Sequence, residues 1–263
     1  MNINANNLSV NSLYSSNLSS INQTLSSGQR INSASDDPAG LAILSSLNTQ
    51  ISAQDMGVQN ANAGISMLQT ADGASDRITQ SLQRMNELSL QAMNGTLNAS
   101  QRDMLNGEFQ QNLQNINQIV ESTRFNGQTL LNGELNSVNI ALGAESNSTL
   151  TLPTLTTDAL SITGLNISDP ANASTALAGV TTAIEQLSTS RAEFGAQQNG
   201  LTSSIDNIQS QNVASYATKS QLSDTDFAKA IAEQSRQNIL NESAIAMQSQ
   251  GNQSKAAVLQ LLS

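Results

Sequence analysis

Few side chains in this sequence could do chemistry. Among 263 residues there is no Cys and no His, while Asp and Glu number 20 and Lys and Arg 10. Without imidazole or thiol, zinc sites, Cys or His nucleophile–base pairs, disulfides and haem ligation through those groups drop out. Carboxylates remain. Asp36 and Asp37 are adjacent, but a cation needs further oxygen ligands. The following Pro38 makes Asp37 a helix cap instead, with proline at the first helical position, where its missing N–H costs nothing. Glu87 and Glu108 could meet across neighbouring helices as an acid–base pair, yet nothing in the sequence supplies a pocket for them. The expectation is no catalytic residue, no metal ligand, no cofactor and no enzyme.

The charge pattern narrows the partners. Net charge is −10, and the Lys residues stand only at 219, 229 and 255. No basic patch forms, so nucleic acid is excluded as a partner. No apolar run approaches the roughly 20 residues of a membrane span, so no membrane partner is expected. Residues 1–27 carry no positive side chain and no compact apolar block, unlike a secretory signal peptide. The chain is expected either to stay in the cytoplasm or to leave through a dedicated machine.

What remains is surface, and the elements that present it. Leu177, Val180, Ile184, Leu187, Phe194, Leu201, Ile205 and Ile208 step by three and four or by whole heptads, with Arg191, Gln198 and Asn212 as polar breaks. A 3.5-residue average step draws one narrow stripe along a helix of about 54 Å. One stripe on so long a rod needs partner helices. The register persists across Asn199-Gly200, so the helix is expected unbroken. The partners come from the first half. One runs from Leu41 through Leu44, Leu47, Ile51, Val58, Ile65 and Leu68, then Ile78, Leu82, Met85 and Leu88, stopping near Asn94-Gly95. A second carries Leu105, Phe109, Leu113, Ile116 and Val120. Ser100 with Asp103 reads as its cap and first-turn acid. An aromatic content of 2% suits rods packed by Leu, Ile, Val and Ala.

The period then changes. Asn126-Gly127 and Asn132-Gly133 are hairpin-type turn pairs. Val138, Ile140 and Leu142 alternate, as do Leu150 with Leu152, Leu160 with Ile162, and Leu165 with Ile167. These read as short strands, too few for an independent domain. The predicted fold is mainly α: an antiparallel helical rod, or coiled-coil bundle, of 41–93, 100–122 and 175–220. A small β-hairpin region, 124–168, is placed at its far end. Both ends of the chain carry sparse apolar positions amid Asn and Ser. Such faces are too poor to fold alone and suit packing against copies.

Several blocks together resemble bacterial flagellin. They are Ser27-Gly28-Gln29-Arg30-Ile31-Asn32-Ser33-Ala34 with Asp36-Asp37-Pro38-Ala39-Gly40-Leu41-Ala42-Ile43; Leu82-Gln83-Arg84-Met85-Asn86-Glu87-Leu88; Arg124-Phe125-Asn126-Gly127; Arg191 with Phe194-Gly195-Ala196 and Gln198-Asn199; and the end from Gln250. Where larger flagellins insert a variable outer domain, Leu165-Asn166-Ile167 leads almost directly into the returning helix, so the chain resembles a short form without that domain.

The resemblance implies a structural subunit that self-assembles into a helical tube for motility. Residues 1–40 and 223–263 would form the filament-core domain and 41–222 the rod domain. Leu8, Tyr14, Leu18, Ile21, Leu25, Phe227, Ile231, Val258, Leu259, Leu261 and Leu262 would pack the core. The terminal segments would be disordered in the monomer and helical in the filament. Implied partners are further copies, hook-associated and cap proteins, a chaperone and the flagellar type III export apparatus, which would deliver the chain outside the cell. A hook–filament junction protein is the alternative. The resemblance also implies recognition of the monomer by Toll-like receptor 5 through Arg84, Leu88 and Glu108, with Gln83 and Gln111 beside them.

Overall fold

The computed structural model describes residues 16–144 and 146–262, with side chains up to Ser254. Helix α1 covers 16–27 of the described residues. It is followed by α2 (Pro38–Ala92), α3 (Ala99–Ser122), strands β1 (Arg124–Phe125), β2 (Gln128–Thr129), β3 (Ser137–Ala141) and β4 (Asn147–Thr151), then α4 (Pro170–Ser223) and α5 (Phe227–Leu262). The chain divides into two compact units. One takes residues up to Ile51 with those from Val213 on; the other is Ser52–Asn212. The divisions fall inside α2 and α4, within the rod segment expected from the sequence.

The helix ends follow local chemistry. Asp37 Oδ1 accepts from the Gly40 N–H at 2.9 Å, capping α2 above Pro38. Asp169 Oδ1 accepts from the Ala171 and Asn172 N–H groups, both at 2.9 Å, above Pro170. Asp226 Oδ1 does the same for Lys229 at the start of α5. The expected Ser100 cap of α3 is corrected. Asn98 caps it, taking the Gln101 N–H at 2.9 Å, while the Gln101 side chain takes the Asn98 N–H at 3.0 Å. Asparagine is at least as good a cap as serine, and glutamine completes the reciprocal box three residues on.

In the Ser52–Asn212 unit, α2 and α4 run antiparallel. Asn86 meets Thr181 at 3.3 Å, Arg191 meets Asp72 and Asp76 at 2.8 and 3.0 Å, and Asn212 meets Asp55 at 2.8 Å. One residue number rises as the other falls. The α4 stripe is buried as expected at Val180, Leu187, Phe194, Leu201 and Ile208, while Leu177, Ile184 and Ile205 flank it half-buried. Ala173, Ala176 and Ala183 extend the seam. Their missing bulk lets neighbouring elements approach closely. Helix α3 is antiparallel to α2: Arg102 Nε donates to the Ala92 carbonyl at 3.0 Å, and Arg84 reaches Glu108.

Helix α3 has only 24 residues, so it cannot cover the length that α2 and α4 share in this unit. The 124–168 segment covers the remainder. Asn126-Gly127, with φ of 49° and 82°, turns β1 into β2, the two-residue hairpin expected. Strands β3 and β4 form a second antiparallel pair, Ser137 opposite Thr151 and Ala141 opposite Asn147. Gly57 of α2 lies so close that a Cβ there would stand 2.1 Å from the Leu142 carbonyl oxygen. Three expectations change. Asn132-Gly133 turns the chain between β2 and β3, which do not pair. Leu160, Ile162, Leu165 and Ile167 do not form strands, because Ser161 and Gly164 hold φ of 56° and 78° and bend the backbone. Nor does the segment keep to one end: its last part runs back along α3. Leu160, Ile162 and Ile167 are still buried.

The other unit joins its two chain reversals. The Arg30 N–H donates to the Ser223 carbonyl at 2.5 Å and the Thr225 N–H to the Gly28 carbonyl at 3.0 Å. Arg30 Nη2 also reaches the Leu222 carbonyl at 2.8 Å. Gly28 ends α1 at φ 69°, where a side chain would be strained. Asp36 ties the loop by accepting from the Asn32 and Ser33 N–H groups.

Candidate interaction surfaces

Two surfaces carry the residues singled out in the sequence. The first is the outer face of α2 and α3. Arg84 Nε donates to Glu108 Oε1 at 2.6 Å and Arg84 Nη1 to Glu87 Oε2 at 3.0 Å. All three side chains are nearly half exposed or more. The Arg84 hydrogen bond holds the Glu108 carboxyl below its ordinary range. Glu87 and Glu108 do meet, but on one guanidinium. A carboxylate stabilised in its charged form is a poor general acid, so the pair is an ion-pair cluster rather than an acid–base dyad. An open groove of about 500 Å3 lies beside them between α2 and α3, lined by Arg77, Gln80, Asn112, Asn115 and Gln118 among others. No carboxylate lines it.

Gln83 and Gln111 are exposed on the same helices, Gln111 donating to Asn115 at 3.3 Å. Leu88, which the sequence put on the apolar stripe and the resemblance among the recognition residues, is fully buried in the core. Residues i and i+4 share a helical face but differ by about 40° in direction. Here the edge between core and solvent passes between them. The exposed apolar side chains of this region are Leu90, Met93 and Met104, which the sequence reading missed. Their signal was position: Leu90 and Met104 are large apolar residues off their helices' buried stripes, and Met93 stands just past the end of α2.

The second surface belongs to α1 and α5. Leu18, Ile21 and Leu25 are half-buried, and Gln234 Nε2 donates to Asn22 Oδ1 at 2.7 Å. On α5 the partly covered positions include Ala230, Gln234, Gln237, Asn241 and Ala244, whereas Phe227, Ile231, Ile239, Ile245 and Met247 are more than half exposed. A helix that covers its amides and exposes its isoleucines has its apolar surface free for another partner. Gln237 Oε1 and Asn241 Oδ1 are shielded from solvent without a hydrogen-bond donor. Leu8 and Tyr14 lie outside the described residues, and Val258, Leu259, Leu261 and Leu262 outside the described side chains. Among the described residues no group of three or more acidic side chains could hold a metal, and no helix is long and apolar enough to cross a membrane.

Comparison with known proteins gives these surfaces a context. Residues 1–136 match the bacterial flagellin N-terminal helical region, and residues 177–262 the bacterial flagellin C-terminal helical region. A flagellin of Halalkalibacterium halodurans is 40% identical over 244 residues, covering 91% of this chain and 90% of that protein. A flagellar filament 30.7 kDa core protein of Treponema maltophilum is 31% identical, covering 98% and 99%. Among solved structures, the crystal structure of Bacillus cereus flagellin superimposes with a TM-score of 0.52 at 33% identity. It covers 60% of this chain and 94% of that one.

Proposed function

We propose, from the premise that this chain belongs to the bacterial flagellin family of flagellar-filament structural proteins, that it polymerises through its terminal helices into the extracellular filament. The observation that carries this reading is α5, where Phe227, Ile231, Ile239 and Ile245 stand exposed on a helix with covered amides. Copies packed side by side would bury those side chains, and contacts that do not close into a ring extend without limit. Burial would then offset the cost of ordering the ends, about 1–2 kcal/mol per residue. The terminal segments are the core domain in this reading. Export through the flagellar type III apparatus with a chaperone, and assembly beneath a cap on hook-associated proteins, complete the proposal.

Deleting 228–263 tests it. The truncated chain should remain soluble and helical by circular dichroism and form no filaments under the electron microscope. Filaments from the truncated protein would refute the terminal-core assignment. A junction protein would occur in only a few copies per flagellum, so subunit counting in purified flagella separates the two.

A second reading concerns the Arg84 face. A planar, exposed guanidinium beside Glu108 is a good interface anchor, and it occupies the positions that the resemblance assigns to Toll-like receptor 5 recognition. Gln83 and Gln111 flank it, and Leu88 lies buried one turn further along α2. Arg84→Ala with Glu108→Ala should cut signalling by the monomer several-fold without changing helix content, and intact filaments should be silent. Leu88 is left out, since truncating it would disturb the core. Undiminished signalling from the double variant would sink this reading.

A further inference from the structure

Five Asn-Gly pairs occur in the chain, at 94, 106, 126, 132 and 199. Such a pair can modify itself. With no side chain on the second residue, its backbone nitrogen reaches the asparagine Cγ. Hydroxide takes the glycine amide proton and the new C–N bond closes a ring; water then protonates Nδ2, returning the hydroxide, and the Cγ–Nδ2 bond breaks to leave a succinimide and ammonia. Water then opens the ring at either carbonyl, giving aspartate or isoaspartate. The reaction needs a mobile glycine amide and space for the side chain to fold back.

The structure ranks the five. Gly107 and Gly200 lie inside α3 and α4, where the helical ladder holds the backbone. Asn126 is held at φ 49° in a turn closed by the pairing of Phe125 with Gln128. Gly133 is packed on Thr154, whose Oγ1 would stand 2.7 Å from an added Cβ. Asn94-Gly95 stands outside the helices and strands and at no positive φ. It lies exposed between α2 and α3, with nothing within 4 Å of the place of a Gly95 Cβ. Its Oδ1 accepts from both the Thr96 N–H at 3.1 Å and the Thr96 hydroxyl at 3.0 Å. Those donors draw electron density from Cγ; Asn132 Oδ1 has one such donor, the Glu134 N–H at 3.1 Å.

We propose that Asn94 is a self-modification site that deamidates ahead of the other four Asn-Gly pairs in the folded protein. The product places a carboxylate just past the C-terminal end of α2, where the helix carbonyls are already partly negative. Isoaspartate also lengthens the backbone in the turn whose Asn94 carbonyl Arg102 Nη2 holds at 3.1 Å. The turn loosens as the molecule ages.

Full-length protein held at mildly alkaline pH and mapped by peptide mass spectrometry tests this. The Asn94 peptide should gain one mass unit several-fold faster than those of Asn106 and Asn199, and ahead of Asn126 and Asn132. In guanidinium the five rates should converge. Gly95→Ala, for which the site has space and no positive φ, should slow Asn94 several-fold with unchanged circular dichroism. Any other pair converting first, or an unaltered rate in Gly95→Ala, would overturn the assignment.

Discussion

At the scale of single residues, the Arg84 cluster makes a claim about pH. Arg84 donates to Glu108 and lowers its pKa from the ordinary 4.5. A carboxylate with a lower pKa in the folded state favours folding above its unfolded pKa. That contribution is lost as pH falls from about 4.5 through the lower folded value. Replacing Arg84 by Ala should return the Glu108 titration, followed by carboxyl NMR, upward toward 4.5. An unmoved titration would show that Arg84 is not the cause. The contact itself was half legible in the sequence. Arg84 and Glu108 could be placed on facing helices and Leu88 on the apolar stripe, but the pattern did not show how completely Leu88 is closed off from the Arg84 face. Whether a residue 40° round a helix is wet or dry depends on where the third helix sits, and that is a tertiary fact.

At the scale of elements, glycines separate helix propensity from packing. Gly195 and Gly200 lie in exposed parts of α4 with nothing within 4 Å of an added Cβ. Alanine at either should raise stability by about 0.5–1 kcal/mol, read from denaturant midpoints. Gly57 is equally helical, but its Cβ would meet the Leu142 carbonyl, backbone that cannot swing aside. Gly57→Ala should cost about 1–3 kcal/mol, and a stabilised variant would contradict the close approach described. The long helices were legible because their stripes repeat over many turns, and the Asn126-Gly127 turn because two positive-φ positions have a narrow chemistry. The 156–168 stretch was not. Its alternating apolar residues are largely buried, but its backbone bonds are made within local turns and with helix side chains far away in sequence.

At the scale of the whole molecule, the exposed apolar side chains of α5 set the response to salt. Contacts built from isoleucine, phenylalanine and amides are not weakened by screening. Filaments of this protein should therefore persist in concentrated salt at neutral pH, by sedimentation and negative-stain microscopy. Disassembly in moderate salt would mean that ion pairs carry the packing. The membership of the chain in its family was legible from its blocks of sequence. Its surfaces were less so, since a stripe marks what one helix buries and is silent about what a neighbouring molecule covers.

The side-chain amides that line the bundle in the Ser52–Asn212 unit have a consequence for how this sequence can vary. Asn60 donates to the Ala141 carbonyl at 3.0 Å, Gln110 to the Leu165 carbonyl at 2.8 Å and Gln197 to the Thr151 carbonyl at 3.2 Å. Asn106 accepts from the Ile167 N–H at 3.0 Å and Asn117 from the Thr157 N–H at 3.3 Å. In every case the helix offers a side chain and the segment offers its backbone, which nearly every amino acid shares, with the Thr151 and Thr157 hydroxyls adding a contact at two of them. The instructions for that segment's path are thus written on the helices. In a saturation library, its exposed positions should accept most residues, while the five amides that hold it should accept very few.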